Sequence, residues 1–355
     1  MNRPSDRIVA FAGTEVQVFD DSLRTECDTF VRQHPDATIC HDLRWIDILE
    51  RALGHRPNYL VARRDGRVCG VLPLFLVTSW WGSRGLVSIP WLDYGGILAD
   101  DPETESLILA AADKLREELR AASVEMRSVT TERDDTRQRD DKVTFRLDLS
   151  PGAESIWKEF NAKLRNQVRK SEKSGLVTTF GGIEYLDDFY TVFCRNMRDL
   201  GTPVWGRTLF ASILEKFGEE SEIVIVRNDG RTVAAGLLLK WRGQWYVPSA
   251  SSYREVRSMC PNHALYWTII ERAAHEGAVY FDFGRSTWDG PTFRFKKQWV
   301  PEPTPLAWQY LIPEGEELPV TSPDNPKYRL LIAAWQRLPL AVANWLGPKV
   351  IRNFP

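Results

Sequence analysis

The sequence predicts an α/β (α+β) fold of two similar units, each a mixed, mostly antiparallel sheet flanked by helices. Three observations carry this expectation. At 355 residues with 43% apolar content, the chain has enough material for two cores. A hairpin recurs as "VARRDGR" at 61–67 and "IVRNDGR" at 225–231, and each copy sets an Asp-Gly pair, which supplies the positive φ of a tight turn, beside an apolar run. An amphipathic helix pattern follows each copy, near 103–122 and near 262–276.

The elements follow in order. After a short strand, "VQVF", helical spacing appears at Leu23-Cys27-Phe30-Val31 and at Trp45-Ile46-Leu49-Leu53, the second closed by Gly54. "YLVARRDGRVCGVLPLFLV" reads as strand, turn and returning strand, and Leu107, Ala111, Leu115 and Leu119 mark one face of the 103–122 helix. The charged "TTERDDTRQRDDK", 130–142, lacks apolar periodicity and is the expected join. The expected organisation is a first domain at 1–142, a second at 143–312 and a C-terminal segment at 313–355.

In the second half, Trp157, Phe160, Leu164 and Val168 fall within roughly 80° of arc on one helix that Gly175 ends. Phe189, Phe193 and Leu200 pattern another, stopped by Gly201. In "AVYFDFGRST", Val279, Phe281 and Phe283 alternate with Tyr280, Asp282 and Gly284. The tail mixes apolar runs with Lys327, Arg329, Arg337, Lys349 and Arg352, and Pro339 and Pro348 are expected to divide it into short helices. Those helices either pack back on the second domain or touch the inner face of a membrane.

Composition excludes several functions. A formal net charge of -2 argues against a general nucleic-acid coat. The five cysteines have no C-x-x-C spacing for zinc or redox work, so buried free thiols are expected. No apolar signal core or spanning run is present, which reads as a cytoplasmic chain, with peripheral contact to the inner membrane as the variant. Most of the fourteen tryptophans sit at apolar helical positions, whereas Trp80 and Trp81 are expected at the surface.

Positive charge is gathered locally. Lys163, Arg165, Arg169, Lys170 and Lys173 face a single acid, Glu172. Like charges four residues apart repel one another, and an anionic partner would relieve that. The expectation is a phosphate, pyrophosphate or other polyanion site, against a merely solvated face. Asp282, inside an apolar strand, must be paired, with Arg285 as the candidate, or used to orient or deprotonate an amine. Asn196 and Arg198 near a helix end, and Tyr94 and Gly95 in "DYGG", are further candidates for substrate contact.

"KLRNQVRKSEKSGL", "FYTVFCRNMRDLGTPV", "PNHALYW", "FDFGRST" and "FRFKKQW", in this order, resemble the FemAB-like proteins of the GNAT acyltransferase superfamily. The resemblance covers roughly residues 40–310 and is nearest to the branch associated with exosortase and PEP-CTERM systems. It implies tandem GNAT-like domains and acyl transfer without a permanently bound cofactor. The donor is either acyl-CoA or aminoacyl-tRNA, and the acceptor an amine of an anionic cell-envelope or exopolysaccharide precursor. A non-catalytic binding protein, or an accessory at the membrane surface, is the competing reading. Phe295, Lys296 and Trp299 match the F-K-x-x-F pattern of the ligases, although Val300 replaces the usual glycine. The match implies that Lys296 stabilises charge on a reacting carbonyl or anchors an anionic group. "RSMCPNHALYW" stands where GNAT enzymes hold pyrophosphate. There Arg257, Asn262 and His263 are the donor-binding candidates, and Cys260 and Pro261 leave a standard cradle in doubt.

Overall fold

The computed structural model describes residues 7–80, 82–128, 136–318 and 326–353, so Trp81 and residues 130–135 of the expected join lie outside the described residues. The chain forms two compact units, one of residues 1–142 with 305–320 and 352–355, the other of 143–304 with 321–351.

In the first unit, β1 (Arg7–Phe11), β2 (Thr14–Val18), β3 (Leu60–Arg64) and β4 (Arg67–Leu72) form an antiparallel sheet that the short Leu98–Ala99 strand extends. The β3–β4 turn carries Asp65 at φ 50° and Gly66 at φ 78°, the two positive angles that match a tight turn to strand twist. Helices α1 (Arg24–Gln33) and α2 (Arg44–Leu53) precede it, and Gly54 ends α2 in the left-handed region. Helix α3 (Pro102–Glu118) begins at an Asp101 cap that accepts from Thr104 N–H. It stops short of residue 122 because Arg120 turns to φ 53°.

A second sheet of this unit runs in the order Arg137–Arg139, Ala307–Leu311, Val124–Ser128, Arg84–Val87, Phe75–Thr78, Arg56–Pro57. Residues 307–311, expected in the second domain, therefore pair with the first. Trp308 is buried there and covers the guanidinium of Arg127 at 4.4 Å. Residues 137–139 of the expected join are likewise a strand. Tyr94 and Gly95 are packed inside this unit. Tyr94 is buried, and Gly95 stands at φ 128° with a would-be Cβ 2.8 Å from Ile89, so this glycine serves a crowded turn rather than an approach to substrate.

The second unit is built on a six-stranded sheet. Its strands are β5 (Arg146–Asp148), β6 (Val177–Gly181), β7 (Ser221–Asn228), β8 (Arg231–Trp241), β9 (Gln244–Ser252) and β10 (Tyr280–Asp282), in the order β5-β10-β9-β8-β7-β6. The pairs are antiparallel except β9 with β10. The recurring hairpin is β7–β8, with Asp229 at φ 47° and Gly230 at φ 78°. Val224 and Val226 of β7 join a core with Leu164, Val168, Leu265, Ile269 and Ile270, drawn from helices α5 (Ala162–Lys173) and α8 (Pro261–His275). Ile223 and Ile225, on the alternate face, are buried too, as expected of a sheet covered on both sides. The cover on that side includes α6 (Leu186–Leu200) and α7 (Arg207–Phe217).

The single helix expected through Trp157 and Val168 is two. Helix α4 (Ala153–Glu159) ends where Phe160 turns extended, and Asn161 caps α5 by accepting from Leu164 N–H at 2.9 Å. The tail forms α10 (Pro326–Gln336) and α11 (Leu340–Ile351), with Pro348 inside α11 instead of dividing it. Both helices contact α6.

Candidate functional site

The site begins with a mismatch of strand lengths. β9 and β10 pair in parallel only at Gln244–Tyr280, Trp245–Phe281 and Tyr246–Asp282. There β10 ends, while β9 runs on to Ser252. Among the described residues, the edge of β9 from Val247 to Ser252 has no strand neighbour on that side. Asn196 stands by this stretch and donates from Nδ2 to Ser251 Oγ at 3.1 Å.

Beyond β9, residues Arg254–Met259 form a 3-10 turn with Arg257 exposed, and α8 starts. The helix cap is Cys260, at φ 59°, and not Asn262, which is the second helical residue after Pro261. Little of the first turn is left to bind an anion. Pro261 has no N–H, and the N–H groups of His263 and Ala264 close on Cys260 O at 3.0 and 3.3 Å. Asn262 contributes its own N–H, and its Oδ1 is buried without a hydrogen-bond partner among the described residues. His263 is buried against Phe295 and Trp299, with ring centroids 5.1 and 5.9 Å away. Burial pushes its imidazole down to about 4, so it is neutral at pH 7.

At the end of β10, the two residues expected to do chemistry meet on one turn. Asp282, 2% exposed, accepts from Gly284 N–H at 2.7 Å, Thr144 Oγ1 at 2.8 Å and Arg146 Nε at 2.9 Å. Its carboxylate forms a salt bridge with Arg146. Lys296, 6% exposed, lies at the end of α9 (Pro291–Lys296) and donates from Nζ to Gly284 O at 2.7 Å and Arg285 O at 2.8 Å. The carboxylate holds the turn by an N–H and the ammonium holds it by two carbonyls. Gly284 itself needs the left-handed region, at φ 73°. The turn thereby fixes Arg285, whose side chain is half-buried. Behind it Phe283, Tyr266, Phe295 and Trp299 form one aromatic cluster.

Sequence reasoning missed Thr144 and Arg146. The signal was present, since Val143, Phe145 and Leu147 turn into the core and alternate with these two polar residues.

The basic helix is less open than its charge implies. On α5, Leu164 and Val168 face the core as expected. Arg165, however, donates to Lys158 O at 2.9 Å, and Arg169 rests 5.6 Å from the ring centroid of Trp157. Both guanidinium groups bend onto α4. Lys163 and Lys170 are exposed and carry no ion pair among the described residues. The hollow beside this helix, about 430 Å³, is lined by Glu154, Glu172 and Glu271 with Lys158, His275 and two tryptophans, which does not suit a polyanion. Arg198 also departs from expectation. It pairs with Asp199 at 2.8 Å and donates to Leu338 O at 3.4 Å, so it serves the C-terminal segment.

Residues 158–297 match the family model described as "Acetyltransferase (GNAT) domain". No curated protein matches the sequence. Among solved structures, the chain is similar to FemX, at 16% identity and a TM-score of 0.64, covering 90% of this chain and all of that one. It is similar to the C-terminal domain of a putative lysylphosphatidylglycerol synthetase from Agrobacterium fabrum, at 13% identity and a TM-score of 0.56, covering 83% of this chain and 93% of that one. It is also similar to a tandem GNAT protein from the clavulanic acid biosynthesis pathway, at 14% identity and a TM-score of 0.54, covering 86% of this chain and all of that one. The chain therefore has the tandem GNAT-like fold, and the opened sheet edge, the start of α8 and the braced turn all lie within the residues that match the GNAT domain model.

Proposed function

We propose that the protein is a FemAB/GNAT-type acyltransferase that moves an acyl or aminoacyl group to an amine of an anionic cell-envelope or exopolysaccharide precursor, at the cytoplasmic side, as in the exosortase and PEP-CTERM branch that its motifs resemble. The observation that carries the reading is the edge of β9, free of a strand neighbour among the described residues from Val247 to Ser252, beside the first turn of α8. A donor arm that bears amides pairs with such an edge as an added strand would. Its carbonyl then reaches the Tyr246–Asp282 pair, where the opening begins.

The amine must lose a proton, the carbonyl oxygen must be stabilised as it gains charge, and the leaving group must be satisfied. No covalent enzyme intermediate is needed. In this reading Asp282 and Lys296 are positioning residues that hold the Gly284–Arg285 turn, and Arg285 and Asn196 face the acceptor. Phe295 and His263 form the apolar wall, and Arg257 with Asn262 N–H meets the donor's anionic part. Lys163 and Lys170, the open cations of α5, meet phosphate or uronate groups of the acceptor or the backbone of a tRNA donor.

The crowded first turn of α8 favours a second reading, a binding protein that keeps the fold without turnover. Acyl-CoA and aminoacyl-tRNA, each offered with amine-bearing anionic saccharides, separate the two. Transfer to the amine, with a raised Tm for the donor used, is expected. A Tm shift without transfer selects the binding reading, and neither effect with any donor ends both.

A further inference from the structure

Helices α10 and α11 have one face packed and one bare. Ile332 of α10 sits on Gly201, and α11 lays Gly347 against Val204 and Pro348 beside Gly206. The other faces are apolar and exposed, with Leu330 at 77%, Leu331 at 65%, Val342 at 42% and Trp345 at 65%. In α11, Ala341, Val342, Trp345 and Lys349 fall within roughly 100° of arc, opposite the buried Ala343 and Gly347. In α10, Leu330, Leu331 and Ala334 do the same, opposite Ile332.

Charge decides what covers this surface. From residue 326 to 355 the sequence holds Lys327, Arg329, Arg337, Lys349 and Arg352 and no aspartate or glutamate, in a chain whose net charge is -2. Arg337 and Lys349 are exposed, and Lys349 Nζ lies 3.5 Å over the Trp345 ring. A second copy of the same face would bring cation against cation. An anionic lipid surface complements both features, because indole and leucine enter the headgroup boundary while lysine and arginine meet phosphate. No described helix is long and apolar enough to cross a membrane.

We propose that α10 and α11 dock the protein flat on an anionic lipid bilayer. This rests on the tail alone and holds whether or not the acyl-transfer reading does. Co-sedimentation of the full chain with phosphatidylcholine vesicles, and with phosphatidylcholine–phosphatidylglycerol vesicles, tests it. Binding is expected to the anionic vesicles only, weakening with salt. The pair Arg337→Glu and Lys349→Glu should lower the partition coefficient by roughly tenfold or more. The triple change Leu330→Ser, Leu331→Ser, Trp345→Ser should abolish binding, with circular dichroism and Tm unchanged because these side chains are exposed. The proposal is overturned if the wild-type protein stays in the supernatant, if the variants sediment as it does, or if the same changes instead dissociate a dimer seen by sedimentation equilibrium.

Discussion

Lys296 and Asp282 both hold the Gly284–Arg285 turn, one through its carbonyls and the other through an N–H, and both side chains are buried. Lys296→Met keeps the stem and removes the ammonium, leaving two inward carbonyls without their donor, at about 1–3 kcal/mol for each one that water cannot reach. Urea unfolding should show that loss, and stability equal to wild type would mean that the ammonium does not brace the turn. Asp282 was visible in the sequence as a charge in apolar company, and Lys296 through the F-K-x-x-F pattern that its stretch resembles. Their partners were not, because only the return of α9 puts Nζ on carbonyls eleven and twelve positions earlier. The pairing of Arg146 with Asp282 has the same origin. Arg285 is near in sequence, but Arg146 faces Asp282 across the β5–β10 ladder.

At the scale of elements, the two hairpins differ in how tightly a helix sits on the returning strand. A Cβ at Gly70 would lie 2.7 Å from Ile108 Cδ1 and 2.9 Å from Thr104 Cγ2 of α3, whereas one at Gly236 would meet Ser249 O at 3.3 Å and Leu265 at 3.4 Å. Gly70→Ala should therefore cost about 1–3 kcal/mol as overpacking, and Gly236→Ala markedly less. Denaturant midpoints of the two variants check the order, and equal midpoints would refute it. The hairpins themselves were legible because Asp-Gly is a local signal. The break between α4 and α5 was legible too, in Asn161 as a cap, but an apolar period running from Trp157 through Val168 masked it.

For the whole molecule, three buried imidazoles tie stability to acid. Burial is the largest cause in each, lowering His41 and His55 of the first unit and His263 of the second from 6.5 to about 4. Each folded pKa lies below the unfolded one, so between about pH 4 and 6.5 the unfolded chain binds more protons. The contribution is complete above pH 6.5 and is lost as pH falls towards 4. Tm should decline through that window, and His263→Phe should remove part of the decline; a flat profile would mean that these rings are not held neutral. The sequence by itself determined the two units, their hairpins, the oily side of α5 and the composition of the tail, because turn chemistry, apolar period and charge act between near neighbours. Only the tertiary structure decided that residues 307–311 belong to the first unit, that Arg165 and Arg169 bend onto α4, and that β9 outruns β10. Those outcomes depend on contacts between segments far apart in the chain, which burial selects and local pattern does not encode.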